Sequence, residues 1–387
     1  MLKRVLNSDK KRALKFSLYL LPFMLNLGII EFLLPVKYDV VLENLPLMGG
    51  LVTLAWLLST LFDFAIGTLT DKIGIKKSIT IGVILGFFGS LLFGFYENIW
   101  IMTFGIFLWG FSFTFLAVPS EDYLLTKFNK KDTGTAYGIF FFFYDLAYAI
   151  APLIAVLVYY FYGLNPTILL GALIILISLP LISRIKKDKQ KEGIEKATKE
   201  ILVKENLVKE EFKDLKKLNK KELSILFSMF ILGFWFTIIL MGSPLLFFIE
   251  ENNLLQGAIL AFAFMIPFSL MEYFYGKLAD SEKNRKKMIY FGFLFGGLAL
   301  ITFFFVKSFW LLIVLAALTT LFTNMAWCAT EVSIYRYLPK GKKGEFTGIF
   351  ITAKDLGFDV APLIYGLIAV NGLKIPFLVL GIMLVLA

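Results

Sequence analysis

The chain has 387 residues, 58% apolar and 18% charged, with a mean hydropathy of +0.78. Soluble domains carry roughly 45–50% apolar residues, and single cores stop growing at about 250–300 residues, so this excess has to face lipid. There is no His, a single Cys (Cys328) and a net charge of +10, which excludes His-based zinc sites, Ser-His-Asp and Cys-His catalysis, an internal disulfide and CxxC metal sites.

The N-terminus is basic, with Lys3, Arg4, Lys10, Lys11 and Arg12 ahead of an apolar run over 14–36. That run is too long for a signal h-region and lacks a small-residue cleavage site, so it is predicted as a first membrane span. A span needs about 20 mostly apolar residues. On that measure the first half has candidates at 14–36, 47–70, 78–96, 99–126, 135–160 and 166–183. The second half has them at 223–249, 255–276, 288–306, 308–336, 346–369 and 373–387, the last short and with Pro376 near its start. The expected fold is an all-α membrane protein of twelve transmembrane helices in two six-helix bundles, 1–183 and 223–387.

Between the bundles, 184–222 holds 14 Lys/Arg and 9 Asp/Glu. Ile201, Val208, Phe212 and Leu215 are spaced 7, 4 and 3, as on one helical face. Two readings stand: an amphipathic helix on the membrane surface, or a solvated linker with some helix. With the N-terminus inside, 35 of the 39 cations fall on inner segments. Lys37, Lys307 and Lys374 fall in outer loops and Lys354 inside a span. This follows the positive-inside rule. The basic balance is therefore topological, and no nucleic-acid partner is implied. N-terminus, linker and C-terminus are expected on the cytoplasmic side of the cell membrane.

The two halves repeat. Asp63, Gly67, Leu69 and Asp71 match Glu272, Gly276, Leu278 and Asp280 at an offset of 209. Glu121, Gly138, Asp145 and the run Ala151-Pro152-Leu153-Ile154 match Glu331, Gly348, Asp355 and Ala361-Pro362-Leu363-Ile364 at 210. Such self-similarity marks a parallel six-helix repeat. The loop after span 2 also carries Gly67, Leu69, Asp71, Lys72, Gly74, Lys76 and Lys77, with Ile75 among them. This resembles the G-x-L-a-D-r-x-G-r-k loop of the major facilitator superfamily, whose 6+6 layout covers the whole chain.

The resemblance implies a secondary transporter with alternating access between two bundles. It also implies that this loop is a gating latch whose basic residues pair with acids on span 4, here Glu121 or Asp122. Gly67 is expected to allow close helix approach, and Asp71 to meet a helix N-terminus. The repeated acids Asp63, Glu121, Glu272 and Glu331 are assigned to scaffold and gating, with Gly276 and Asp280 in the second copy. Substrate contact is the alternative for these acids.

Ionisable groups deep in a bilayer cost at least about 2.5–3.5 kcal/mol and are expected to face a cavity or a partner. At about 1.5 Å of rise per residue, Asp145 and Asp355 lie near mid-membrane, Asp359 one turn beyond Asp355, and Glu31 in the outer part of span 1. Glu31, Lys354 and Asp359 have no charged counterpart in the repeat, the offset leading to Leu240, Tyr144 and Ala149. Glu31, Asp145, Lys354, Asp355 and Asp359 are therefore the candidate substrate and proton-coupling residues. The alternative is that Lys354 neutralises a nearby acid and the set is structural.

An acid-rich cavity repels anions and suits protons, Na⁺ and cationic or neutral organic solutes. The resemblance adds Asn26, Trp109, Trp235, Asn324 and Trp327 as cavity-lining candidates on spans 1, 4, 7 and 10. Gly138, Ala147, Ala151-Pro152 and Ala155 are similar to an exporter pattern of the family. Ile106 stands where proton-coupled exporters carry Arg before a Gly, here Gly110, which weighs against coupling by that route. The leading expectation is proton-coupled efflux of a small cationic or neutral solute by a monomer. The alternatives are proton- or sodium-coupled uptake of a sugar-like or other neutral solute and, from another class, a non-transporting receptor or intramembrane enzyme. No cofactor or metal is implied. The coupling ion is expected to be H⁺, with Na⁺ the alternative.

Overall fold

The computed structural model describes residues 8–128, 133–185, 220–337 and 343–387. The expectations for the linker therefore fall almost wholly outside the described residues. The first half contains α1 (Ser8–Leu42), α2 (Leu45–Thr60), α3 (Asp63–Ile73), α4 (Ile75–Phe95), α5 (Ile99–Thr126), α6 (Thr133–Tyr162), α7 (Leu164–Leu176) and α8 (Ser178–Ile182). The second contains α9 (Lys220–Glu251), α10 (Leu254–Ala279), α11 (Glu282–Phe305), α12 (Phe309–Tyr337), α13 (Lys343–Ala369) and α14 (Ile375–Leu386). Helix is the form these segments must take, because lipid offers no partner to a backbone N–H or C=O.

Among the described residues nine helices are long and apolar enough to cross a membrane, and ten if α2 and α3 form one span bent by 44°. The predicted twelfth span, α14, has only 12 residues. The eleventh, α13, carries Lys354, Asp355 and Asp359 among its apolar residues. One expectation is corrected outright. Lys37 is not in an outer loop: α1 continues through it to Leu42, and Lys37 is 1% exposed. A charge marked the end of the apolar run, but a helix does not end where hydropathy dips.

The chain divides into two compact units, one of Met1–Leu33 with Ala55–Glu205, the other of Leu34–Leu54 with Asn206–Ala387. In the first unit α4 packs on α5 and α7, and α3 on α5. In the second α11 packs on α12 and α14, and α10 on α12. These are the same pairs one repeat apart. Glycines set their spacing. A Cβ on Gly89 would stand 2.6 Å from Gly105 O, and one on Gly297 would stand 2.6 Å from Gly381 O.

The division departs from the predicted boundary by giving the end of α1 and most of α2 to the second unit. There Gly49 lies against Pro362 O and Gly366 against Leu45 O, so close that neither has room for a Cβ. Thr53 Oγ1 accepts a hydrogen bond from Leu363 N at 3.1 Å.

Candidate substrate and gating sites

In the first unit, α1 and α6 meet at Gly28. A Cβ there would stand 2.7 Å from Ala151 Cβ and 3.3 Å from Tyr148 Cα. Ala147 and Ala151 thus serve helix packing, while Gly138 has nothing within 4 Å of a Cβ. The exporter-like pattern is accounted for in part by this contact. Three residues along α1 from Gly28, the buried Glu31 shares a hydrogen bond with Tyr148, which in turn bonds Tyr144. The two phenol rings lie 4.8 Å apart. Each phenol has one hydrogen and an ionised carboxylate only accepts. The consistent order is Tyr144 donating to Tyr148 and Tyr148 donating to Glu31. Asp145 is also buried, and both carboxylates act electrostatically on Tyr144. The structure therefore brings Glu31 and Asp145 into one cluster.

Sequence reasoning missed Tyr144 and Tyr148. Two signals were present: their i, i+4 spacing, and their alignment with Lys354 and Phe358 at offset 210. A chain with 43 Phe and 16 Tyr hides such a pair.

In the second unit α9 and α13 hold the equivalent place. Gly233 lies directly against Lys354 O, and Gly357 against Phe230 O. Thr237 Oγ1 donates to Phe358 O at 3.2 Å. With its backbone pinned, Lys354 extends its ammonium over two rings, 5.8 Å from the Trp327 centroid and 6.0 Å from that of Phe358. Trp327 Nε1 donates to Glu331 Oε1 at 2.9 Å, one turn along α12. Glu331 and Asp355 both lie within electrostatic reach of Lys354. Glu331, expected as a gating acid, is thus part of the Lys354 cluster. Asp359 is 5% exposed, one turn along α13.

The five lining candidates separate. Asn26 is fully buried, its amide donating to Ser90 Oγ at 3.1 Å and Gly171 O at 2.9 Å. Asn324 is fully buried too and accepts from Cys328 Sγ. Trp235 stacks at a tilt on Phe268, and Trp109 backs the Gly89 contact. These four pack inside their units, and only Trp327 of the set is partly exposed. A family pattern identifies helices that line a cavity, not which face of each helix does so. Ile106 is fully buried and Gly110 packs on Ser59.

In the gating loop Gly74 has φ 88°, a left-handed value that explains a glycine between α3 and α4. Gly67 does not make the expected close approach: a Cβ there would meet Val118 Cγ1 at an ordinary 3.7 Å, and Gly276 has open space. Asp71, Lys77 and Asp280 are exposed. Lys76 donates to the carbonyls of Ser183 and Ile185, at the C-terminal end of α8. Its repeat equivalent, Arg285, is 3% exposed and donates to Ala279 O at 3.2 Å. Cations suit helix C-termini, where carbonyls are unsatisfied and the dipole is negative. Glu121, Asp122 and Glu272 are half-buried. The side chain of Asp63 lies outside the described residues. Among the described residues no three acids or thiols gather as a metal site.

A chain of two units, helical in its described residues, with apolar spans and acids repeated at offsets of 209 and 210, has the make-up of a membrane transporter. The family model of the Major Facilitator Superfamily matches residues 16–254 and again 225–387. The chain belongs to that superfamily and is a transporter, not an enzyme. It is 30% identical to an uncharacterized MFS-type transporter of Methanocaldococcus jannaschii over 123 residues. That match spans 32% of this chain and 30% of the relative. Among solved structures it is similar to the nucleoside transporter NupG, with a TM-score of 0.75, 13% identity and coverage of 96% of this chain and 97% of the other. It is equally similar to the xylose transporter XylE of E. coli, with a TM-score of 0.75 at 13% identity, covering 96% and 94%. At that identity the likeness shows the fold.

Proposed function

We propose that this chain exports a small cationic or neutral organic solute across the cell membrane by alternating access, in exchange for protons. The observation that carries the reading is the relay of the buried Glu31 and Tyr148 with the half-buried Tyr144, beside Asp145. An ionised carboxylate there attracts a cation, while a protonated one is neutral and releases it. Proton uptake and solute release are thus alternatives at one place, which is the logic of antiport. The charge distribution along the sequence supports termini and linker on the cytoplasmic side.

A second reading, uptake of a sugar-like or other neutral solute with H⁺ or Na⁺, is favoured by the two phenol hydroxyls. They offer donors and acceptors to a polyhydroxyl solute without adding charge. The relatives named for nucleoside and xylose transport lend it only the fold.

Purified protein in liposomes with an imposed pH gradient separates the two. Under the first reading, solute moves against the proton flow, and an organic cation accumulates on the acidic side. Solute that follows the proton overturns antiport in favour of symport. Transport indifferent to the pH gradient overturns proton coupling.

A further inference from the structure

We propose that Trp327, Phe358, Glu331 and Asp355 form a binding cage for an organic ammonium ion, and that Lys354 is a tethered occupant competing with the solute for it. The inference deepens the proposed function and rests on its organic-cation reading.

The geometry is that of a cation held by ring faces and carboxylates. Attraction to an aromatic face operates within about 6 Å of the centroid, and paired aromatics are a known means of holding ammonium groups. Lys354 Nζ meets that condition at two rings at once. The rings are themselves fixed: Phe236 lies 6.2 Å from Trp327 and 5.4 Å from Phe358, and Phe268 lies 5.7 Å from Trp327. The indole N–H is bonded to Glu331, so ring and carboxylate hold each other in place.

The adjustable part is the lysine side chain. Gly233 and Gly357 leave no play in its backbone, but four methylenes separate that backbone from a compact ammonium. The head can leave the cage while α9 and α13 stay packed. An Arg, with a rigid fork, would not exchange in this way.

The cage is not inherited scaffold. At offset 210 Trp327 corresponds to Ala117, Lys354 to Tyr144 and Phe358 to Tyr148. Only the acids recur, as Glu121 and Asp145. Ring and lysine occur together in the second half alone.

The charge balance makes the competition measurable. Lys354 is a cation within electrostatic reach of both Glu331 and Asp355. Without it the same carboxylates lack a compensating charge, which is costly in a partly buried site. A site occupied by its own side chain also binds with an affinity reduced by the fraction of time it stands open.

The test is titration calorimetry on the full chain in detergent with tetramethylammonium chloride, using sodium chloride as the ionic-strength control. Lys354→Met and Lys354→Gln are expected to bind tetramethylammonium at least about tenfold more tightly than the unaltered chain. Adding Trp327→Leu or Glu331→Gln is expected to abolish that gain. No gain in either lysine variant, or a gain that survives both second substitutions, overturns the cage. If the lysine variants are too unstable to titrate, tetramethylammonium should raise their unfolding temperature more than that of the unaltered chain. Equal shifts overturn the proposal. The underlying reading fails separately. Cage binding without transport of any organic cation in liposomes removes that reading, whereas cation transport with binding indifferent to Lys354 removes the cage alone.

Discussion

The same stretch of helix occurs twice and does two kinds of chemistry. On α6 it reads Tyr144, Asp145, Tyr148, and on α13 Lys354, Asp355, Phe358. Both stretches lie against the first helix of their own half at a glycine, Gly28 in one unit and Gly233 in the other. The first copy is a hydrogen-bonded relay ending on Glu31. The second is a cation among rings. What the repeat preserves is the close backbone contact and one aspartate. What it leaves free is the side chain beside that aspartate, and this is where the halves became unlike. A transporter with two copies of one bundle thus keeps its frame symmetric while the polar groups set on that frame differ.

The comparison breaks most decisively at the carboxylates. Asp145→Asn and Glu31→Gln are each expected to lower proton-driven transport in liposomes by about two orders of magnitude, the lower end of what a positioned proton-transfer group contributes. Asp355→Asn, next to a lysine, should cost less. Equal losses at Asp145 and Asp355 would erase the functional difference between the halves. The backbone contact comes next. Gly233→Ala pushes a methyl into Lys354 O and should destabilise by about 1–3 kcal/mol, as overpacking does. Gly276→Ala, in open space, should be neutral or gain up to about 1 kcal/mol from helix propensity. Thermal unfolding in detergent measures both, and matching midpoints would refute the assignment of tight and loose glycines.

Tyr148→Phe keeps the ring and removes the hydroxyl donated to Glu31. A hydrogen bond to a charged group contributes about 1.5–3 kcal/mol, so proton coupling should weaken by roughly tenfold or more while the protein stays folded. Tyr144→Phe, one step further along the relay, should weaken it less, and the reverse order would invert the relay. The smallest effect is expected at the loop. Lys76→Met removes a cation from a helix C-terminus at a cost of about 0.3–1 kcal/mol, read as a small fall in the unfolding midpoint. A large fall would mean that Lys76 has a buried role like that of Arg285.

The fold was legible because lipid leaves a plain signature. Apolar runs of span length, cations gathered between them and an internal offset of 209–210 all survive without structure. The pairing of Asp145 with Asp355 can be read from the offset of 210 alone. What stayed hidden depended on direction around a helix. Lys37 looked like a loop residue because hydropathy falls at any charge, whichever way its side chain points. Gly67 and Gly276 belong to a recurring motif yet touch little, whereas Gly233 belongs to no motif and meets backbone. Asn26 and Trp235 lie on helices expected to line a cavity but on faces turned into their units. Glu331 was visible as a repeated acid, and only its i, i+4 relation to Trp327 hinted at the hydrogen bond between them.

The contacts of Lys76 and Arg285 have a consequence for how this protein tolerates sequence drift. Each cation sits at the same place in its copy of the repeat, and each is received by backbone carbonyls rather than by an acidic side chain. A carbonyl is present whatever residue occupies the position. Ser183, Ile185 and Ala279 can therefore change identity without losing the interaction, and the partner cannot be deleted by a point mutation. Only the donor side is exposed to selection. That asymmetry permits the duplicated loops to keep one cation each while the helices that receive them diverge, with no need for matched, compensating changes.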